Sequence, residues 1–340
     1  MDLYIFPEAA CLNNGYGIGV DYAYKRLCPS KSDVVVWYTI LEKEDMMYLK
    51  DKDVIIKKNQ TISVKSICNI LFRKDRTECS YKDLAFLKGM VFEHIHCDEV
   101  IFYRSIRKLF PAQQMTVRLH NCFARIYDRK QMLGLRLDWK YEIKLRNMYR
   151  LEREIFRDNR VHKIFISDED RDYYTANFGR FNDSESWLYL PNLEKANNSR
   201  KIKPSYTHKL VWYGGIESHK KASITWFIEH VLEDIRKQIP DVEFHLWGRG
   251  SLAFNDPNRK IFGYGFFDGE GFPMENSLYV NPDIIGGGIK LKLMTFIENG
   301  IPFISTPFGF EGYSKELIDN VFCIVEEQEN WVKRIIDIIK

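Results

Sequence analysis

Asn281–Pro302 reads NPDIIGGGIKLKLMTFIENGIP. An Asn-Pro turn opens it and three consecutive glycines follow, Gly286, Gly287 and Gly288. Apolar Ile289, Leu291, Leu293, Met294, Phe296 and Ile297 then interleave with Lys290, Lys292, Thr295 and Glu298, which predicts a helix entered from a glycine-rich turn. Gly300 and Pro302 end it, as a glycine just past a helix and a proline beyond it do. Phe303-Ile304-Ser305 has the length and character of a buried strand. A glycine turn feeding a helix N-terminus is an anion site: its N–H groups point outward, the dipole favours negative charge, and glycine lets a diphosphate approach the backbone. Lys290, read as first-turn, adds a point charge. Taken alone, the stretch serves equally as a flexible connection before a helix.

The rest of the chain repeats this strand–turn–helix rhythm. Asp2–Phe6 reads as a strand, followed by a loop holding Asn13-Asn14-Gly15-Tyr16-Gly17-Ile18-Gly19 and a helical pattern through Leu27. Its GxGxG spacing differs from the GxGxxG dinucleotide fingerprint. Val34–Ile40 is a continuous β-branched and aromatic run, as in a parallel strand buried on both faces. Asp53–Lys57, Glu99–Tyr103, Thr116–Leu119, His162–Ile166 and Trp187–Leu190 read as further strands, and Val64–Arg73 and Lys82–Phe92 as helices. After a polar break over Glu194–Ser205, strands are expected at Lys209–Tyr213, Glu243–Trp247, before Gly265, at Leu278–Val280 and at Val321–Val325. A helix closes the chain over Glu327–Lys340. Alternation in both halves predicts α/β architecture: two Rossmann-like domains with parallel sheets. Their expected bounds are 1–193 and 207–325, with a linker at 194–206 and a C-terminal helix at 326–340.

Composition excludes several classes. The 340 residues carry 50 Lys+Arg against 47 Asp+Glu, a net charge of +3, so nothing marks a nucleic-acid binder, and the aromatics read as core. No apolar run is long enough for a membrane-spanning helix, and the N-terminus lacks a signal-peptide pattern. Seven scattered cysteines without CxxC spacing imply reduced thiols in a cytoplasmic protein, with no disulfide framework or zinc site. Residues 125–163 are basic, twelve Lys/Arg against six Asp/Glu. That stretch suits an anionic membrane surface, or simply a solvated helix face. His120 follows a strand, where ligands of open α/β sheets gather; a helix cap or a hydrogen-bonded structural histidine is the alternative.

Taken together, VWYGGIESHKKA, EFHLWGRGS, GYGFFD, NPDIIGGGIKLKLMTFIENGIPFIST and PFGFEGY, in that order, resemble the retaining GT-B glycosyltransferases of family 4. NNGYGIG, His120, KIFISDEDRDYY and YLPN extend the resemblance over nearly the whole chain. It implies two domains facing a cleft, with the C-terminal helix crossing back toward the first. It implies a hexosyltransferase-like enzyme that moves a sugar from a nucleotide-diphosphate donor to a hydroxyl of a glycan or lipid-linked acceptor. Retention, surface polysaccharide synthesis, and a cytoplasmic or peripheral inner-membrane location follow from the same resemblance. The nucleotide sugar is a co-substrate; no cofactor is implied. No metal is expected, since no DxD pair sits in a convincing strand-end loop; Asp168-Glu169-Asp170 is formally DxD but lies where a helix cap belongs.

The family motifs place Gly15 and Gly17 in the first-domain loop, His120 at the sugar or acceptor, and Gly214, Gly215, Lys220 or Lys221, Arg249, Gly286, Gly287, Gly288 and Lys290 around the donor. Two positions depart from the pattern. Gly215 stands where the family has an arginine, and Thr295 where it has a ribose-binding glutamate, with Glu298 one turn further on and the acidic partner near Gly287 also missing. These departures keep two further readings open: a non-catalytic GT-B pseudo-transferase acting as a carbohydrate-binding or partner subunit, and a sugar-nucleotide epimerase.

Overall fold

The computed structural model describes residues 1–8, 15–40, 46–51, 53–57, 74, 78–179, 183–188, 208–216, 218–267, 273–274, 276–313, 317 and 323–340. Contacts divide the chain into two units, Met1–Asp128 with Trp139–Leu188, and Arg129–Asp138 with Tyr189–Lys340. The expected linker at 194–206 and the expected helix Val64–Arg73 lie outside the described residues.

The first unit holds a parallel sheet of β1 (Leu3–Phe6), β2 (Val34–Thr39), β3 (Val54–Lys57), β4 (Ile95–Cys97), β5 (Met115–Leu119), β6 (Val161–Phe165) and β7 (Ser184–Ser186), in the order β3-β2-β1-β4-β5-β6-β7. Five of the six β2 residues are buried, as its unbroken apolar run requires. The second unit repeats the plan with β8 (Lys209–Tyr213), β9 (Glu243–Trp247), β10 (Ile261–Gly265), β11 (Leu278–Asn281), β12 (Phe303–Ser305) and β13 (Cys323–Val325), ordered β10-β9-β8-β11-β12-β13. In both sheets the order reverses beside the first strand. The loops leaving β1 and β4, and those leaving β8 and β11, therefore diverge at a switch point, where such sheets bind ligands.

The last helix of the first unit is α5 (Asp168–Phe178), and the second core joins β8, β9 and β11 to α6 (Ser218–Phe227), its π-helical continuation Ile228–Leu232 and Glu233–Arg236. The closing helix, Trp331–Ile339, belongs to this core. Trp331, Ile335, Ile336 and Ile339 are buried in it, and Trp331 meets Phe227 edge to face at 5.8 Å. Its apolar stripe is thus covered within its own unit.

Four local expectations are corrected. Glu99–Tyr103 is not a strand: Ile95–Cys97 takes the place beside β1, while the Glu99 carboxylate accepts from Val100 N at 2.9 Å and caps a turn leading into α2 (Tyr103–Leu109). The β-branched run was outcompeted by sheet register and a cap. Lys82–Phe92 holds only the 3₁₀ turn Ala85–Leu87, with left-handed Gly89 (φ 88°) behind it. The edge strand is Ser184–Ser186, just before Trp187. Helix α1 (Gly15–Leu27) starts at Gly15, so Gly15 and Gly17 stand in its first turn and not in a loop.

A buried carboxylate fixes the chain just after β5. Glu152, in α4 (Trp139–Arg157), accepts from Phe123 N at 3.0 Å and Ala124 N at 2.7 Å, which are orphan donors opening α3 (Phe123–Met132). Burial outweighs those hydrogen bonds and pushes its carboxyl from the usual 4.5 up to about 8. Between these values the folded protein keeps a proton that the unfolded chain has released, so this residue's contribution to stability is lost as pH rises through that window. Glu152→Gln should therefore gain in stability relative to the parent as pH goes from about 5 to about 8. Urea unfolding of both proteins at the two pH values checks this; a constant difference would refute it.

Candidate active site

In the second unit, the turn after β8 and the loop after β11 meet. Gly214 (φ 135°) follows β8 and donates to Trp247 O at 2.9 Å. A side chain at Gly248 would strike the Gly214 carbonyl at 2.1 Å, so glycine there is obligatory for this approach. Gly215 is exposed and meets nothing that would hinder a side chain. Arg249 points to solvent, and its carbonyl holds Ile216 N at 2.8 Å.

The loop after β11 runs through Asp283 and the three glycines to α7 (Leu291–Glu298). The helix buries Leu293, Phe296 and Ile297, with Phe296 packed on Tyr279 and Phe303 at 5.0 and 5.7 Å. Lys290 is the N-cap residue and not, as expected, part of the first turn. It is 7% exposed, and its ammonium donates to Gly288 O at 2.8 Å and lies 4.6 Å from the Phe308 ring centre. Gly286 (φ 157°) passes within 3.7 Å of the Lys290 stem, measured from where a Cβ would stand. Tyr313 supports the helix start: its hydroxyl accepts from Met294 N and donates to Lys290 O, each at 3.0 Å.

At the centre stand two residues the sequence reading did not single out. The Asp283 side chain is fully buried, and Lys292 Nζ lies 3.7 Å from its Oδ2 and 3.4 Å from the centre of the buried Trp212 ring. Lys220 approaches the same ring at 5.9 Å. Asp283 is in turn held through its backbone, whose carbonyl accepts from Thr306 Oγ1. Burial would raise the Asp283 carboxyl, but Lys292, Lys220, Lys290 and His219 together hold it below the usual range. Burial drives the Lys292 ammonium the other way from its usual value, well down, against the pull of Asp283. One carboxylate among three lysines leaves a surplus of positive charge at the start of a helix, an arrangement that accepts a polyanion.

The structure thus brings Gly214, Lys220, Gly286, Gly288 and Lys290 together. Lys221, on the exposed side of its helix, shows no contact with the cluster among the described residues. Gly287 lies between the two left-handed glycines. Thr295 turns its hydroxyl back onto Leu291 O at 3.4 Å, and Glu298 ends the helix, about 10 Å along its axis from the glycines. The second lysine of the KLK run was the available signal for Lys292.

In the first unit, His120 directly follows β5, is 8% exposed, and has Nε2 3.0 Å from Asp98 Oδ2. Arg118, buried in β5, contacts Asp98 Oδ1 at 2.7 Å, Gly19 O at 3.1 Å and His120 Nε2 at 3.1 Å. Asp98 and Arg118 were not predicted; only strand pairing places them beside His120. The acids of the formal DxD are engaged elsewhere: Ser167 caps the helix by accepting from Asp170 N at 3.2 Å, Asp170 pairs with Arg125 at 3.0 Å and Asp168 with Arg171 at 2.9 Å.

Two doubly wound α/β units of this kind define the GT-B class of fold, and comparison with solved structures agrees. The chain is similar over 100% of its length to 90% of WaaG, a glycosyltransferase involved in lipopolysaccharide biosynthesis, with TM-score 0.59 at 10% identity. It is similar over 99% of its length to 88% of a sucrose-phosphate synthase from Thermosynechococcus elongatus, with TM-score 0.60 at 11% identity. A glycosyltransferase from Rickettsia africae matches over 98% of this chain and 86% of its own, with TM-score 0.52 at 13% identity. No family model and no curated protein sequence matches. The fold is GT-B.

Breaking the buried pair should be costly. Lys292→Met leaves Asp283 buried without its nearest cation and should cost roughly 3–5 kcal/mol. Adding Asp283→Asn should recover part of that loss in denaturant titrations; strictly additive effects would show that the pair is not coupled.

Proposed function

We propose that this protein is a nucleotide-sugar-dependent glycosyltransferase that binds the donor diphosphate at the start of α7. The observation that carries this reading is the gathering of Lys220, Lys290 and Lys292 around the 286–288 turn, beside Asp283. When the bond between sugar and diphosphate breaks, negative charge grows on the leaving group. Fixed ammonium groups and helix N–H groups stabilise that charge without reorganising, the role a metal plays in other transferases. His120 serves the sugar or the acceptor hydroxyl. Transfer to a glycan or lipid-linked hydroxyl, with retention and in surface polysaccharide synthesis, is the finer form of the proposal; its support is the motif resemblance.

A second reading, the non-catalytic pseudo-transferase, is favoured by Gly215 and by Thr295, whose hydroxyl is spent on its own helix. The basic segment 125–163 exposes Trp139 (64%), which supports docking on an anionic membrane.

Thermal unfolding with a panel of nucleoside diphosphates and their sugar conjugates tests the main reading. Saturation at about 100 times Kd adds about 2.7 kcal/mol of stability. The shift should be lost in Lys220→Ala and kept in Lys221→Ala. Binding without transfer to any hydroxyl acceptor would favour the pseudo-transferase, and no shift with any nucleotide would refute both donor-binding readings. The membrane reading expects cosedimentation with vesicles containing phosphatidylglycerol but not with pure phosphatidylcholine, weakened by Trp139→Ala; equal behaviour with both lipids would refute it.

A further inference from the structure

Glu243, His245 and Trp247 of β9 alternate with the core residues Phe244 and Leu246, so they share the opposite face of the second sheet. Tyr264 of β10 lies flat across that face. Its ring centre is 4.2 Å from that of Trp247 and 5.8 Å from that of His245, and the planes differ by 11° and 9°. A chain of hydrogen bonds pins it there: the Tyr264 hydroxyl meets His245 Nδ1 at 2.9 Å, and His245 Nε2 meets Glu243 Oε2 at 3.0 Å. The inner side of the ring is taken by Trp247, yet Tyr264 remains 42% exposed, so its outer side is what solvent reaches. Beside it, at the amino ends of β8 and β9, a recess of about 300 Å³ is lined by His208, Lys209, Asp241, Glu243 and Lys260. Register sets Lys209 beside Glu243, the residue that belongs to both the recess and the chain holding Tyr264.

We propose that this face binds a neutral oligosaccharide, one pyranose ring stacked on Tyr264 and neighbouring hydroxyls hydrogen-bonded to Lys209, Glu243 and Lys260. The face of an aromatic ring is electronegative and the C–H bonds on a pyranose face are weakly positive, so the two flat surfaces attract. The tyrosine is already held in place, so stacking orders little that was free. The recess sets two carboxylates against two ammonium groups and an imidazole. Such a balance concentrates neither anions nor cations. It does offer acceptors and donors side by side, which suits hydroxyls, each of them both. Its volume is at the small end of small-molecule sites. The one exposed ring presents roughly 100 Å², far below the about 800 Å² per partner of a stable protein interface. The length of β9, about 13 Å, separates the recess from the donor turns at Gly214 and Gly248, so this is a second site and does not rest on the glycosyltransferase reading.

Saturation-transfer NMR and titration calorimetry of the full chain with maltohexaose, cellohexaose and N-acetylchitohexaose, each at up to about 10 mM, test the proposal. At least one should bind, with saturation strongest on its ring C–H protons. Tyr264→Phe keeps the ring and should hold Kd within about threefold, whereas Tyr264→Ala should weaken binding about tenfold or more. Lys209→Ala, on the recess side, should weaken it about threefold or more and serves as the second variant if Tyr264→Ala does not fold. No binding of any of the three sugars, binding unchanged in Tyr264→Ala and Lys209→Ala, or complete displacement by a nucleoside diphosphate would overturn the proposal; the last would assign the sugar to the donor turns. Concentration-dependent dimerisation of the parent that Tyr264→Ala abolishes would also overturn it, because the face would then serve a second copy of the chain. If no nucleotide binds, the glycosyltransferase reading fails while these titrations still decide the second site.

Discussion

The second unit is arranged around one carboxylate that water does not reach. Asp283 leaves β11 at the point where the strand order reverses, and its charge survives burial because Lys292, Lys220 and Lys290 converge on it from two elements. Trp212 provides the floor: its ring packs into the hydrophobic core on one side and carries the Lys292 ammonium on the other. Gly248 then has to be glycine, because a side chain there would strike the Gly214 backbone, and Gly214 itself takes a φ of 135° that side chains rarely adopt. Core, charge cluster and glycine turns are therefore one construction, and loss of the ion pair would disturb all three.

The first unit solves a similar problem with an even balance of charge. There the buried charges are one aspartate and one arginine, and the histidine between them is oriented by hydrogen bonds. Glu152 closes the next turn of chain by taking up the first donors of α3. Polar groups this deep are tolerated because each has a partner of complementary character. Both clusters stand at carboxyl ends of parallel strands, the one rim of such a sheet where several loops can bring side chains together.

Much of the architecture was legible along the chain. Runs such as VVVWYT and LVWY are apolar without alternation, and only a strand covered on both faces uses that pattern. The glycine turn before α7, its stop at Gly300 and Pro302, and the cap at Ser167 were local chemistry and were readable as such. The misread stretches are those where local preference and sheet register disagreed. EVIFY has strand-like residues, yet the register beside β1 was filled by Ile95–Cys97, and Glu99 was better used as a cap. The helix Trp331–Ile339 likewise carried its apolar stripe openly, but which core would cover it depends on contacts with residues some hundred positions earlier.

The candidate site divides along the same line. Glycines, helix starts and strand ends are properties of short segments, because backbone conformation and hydrogen bonding are settled among near neighbours. Gly286, Gly288, Lys290 and the place of His120 were therefore visible in one dimension. Asp283 with Lys292 and Lys220, and Asp98 with Arg118 and His120, are pairings of side chains from different strands and loops. Which lysine reaches the cluster, and which groups meet His120, depends on distances of 3–4 Å that arise only when strands align and water is excluded. Coulombic and hydrogen-bond energies are strong at that range in a buried setting and weak elsewhere, so packing, and not residue type, settles those roles.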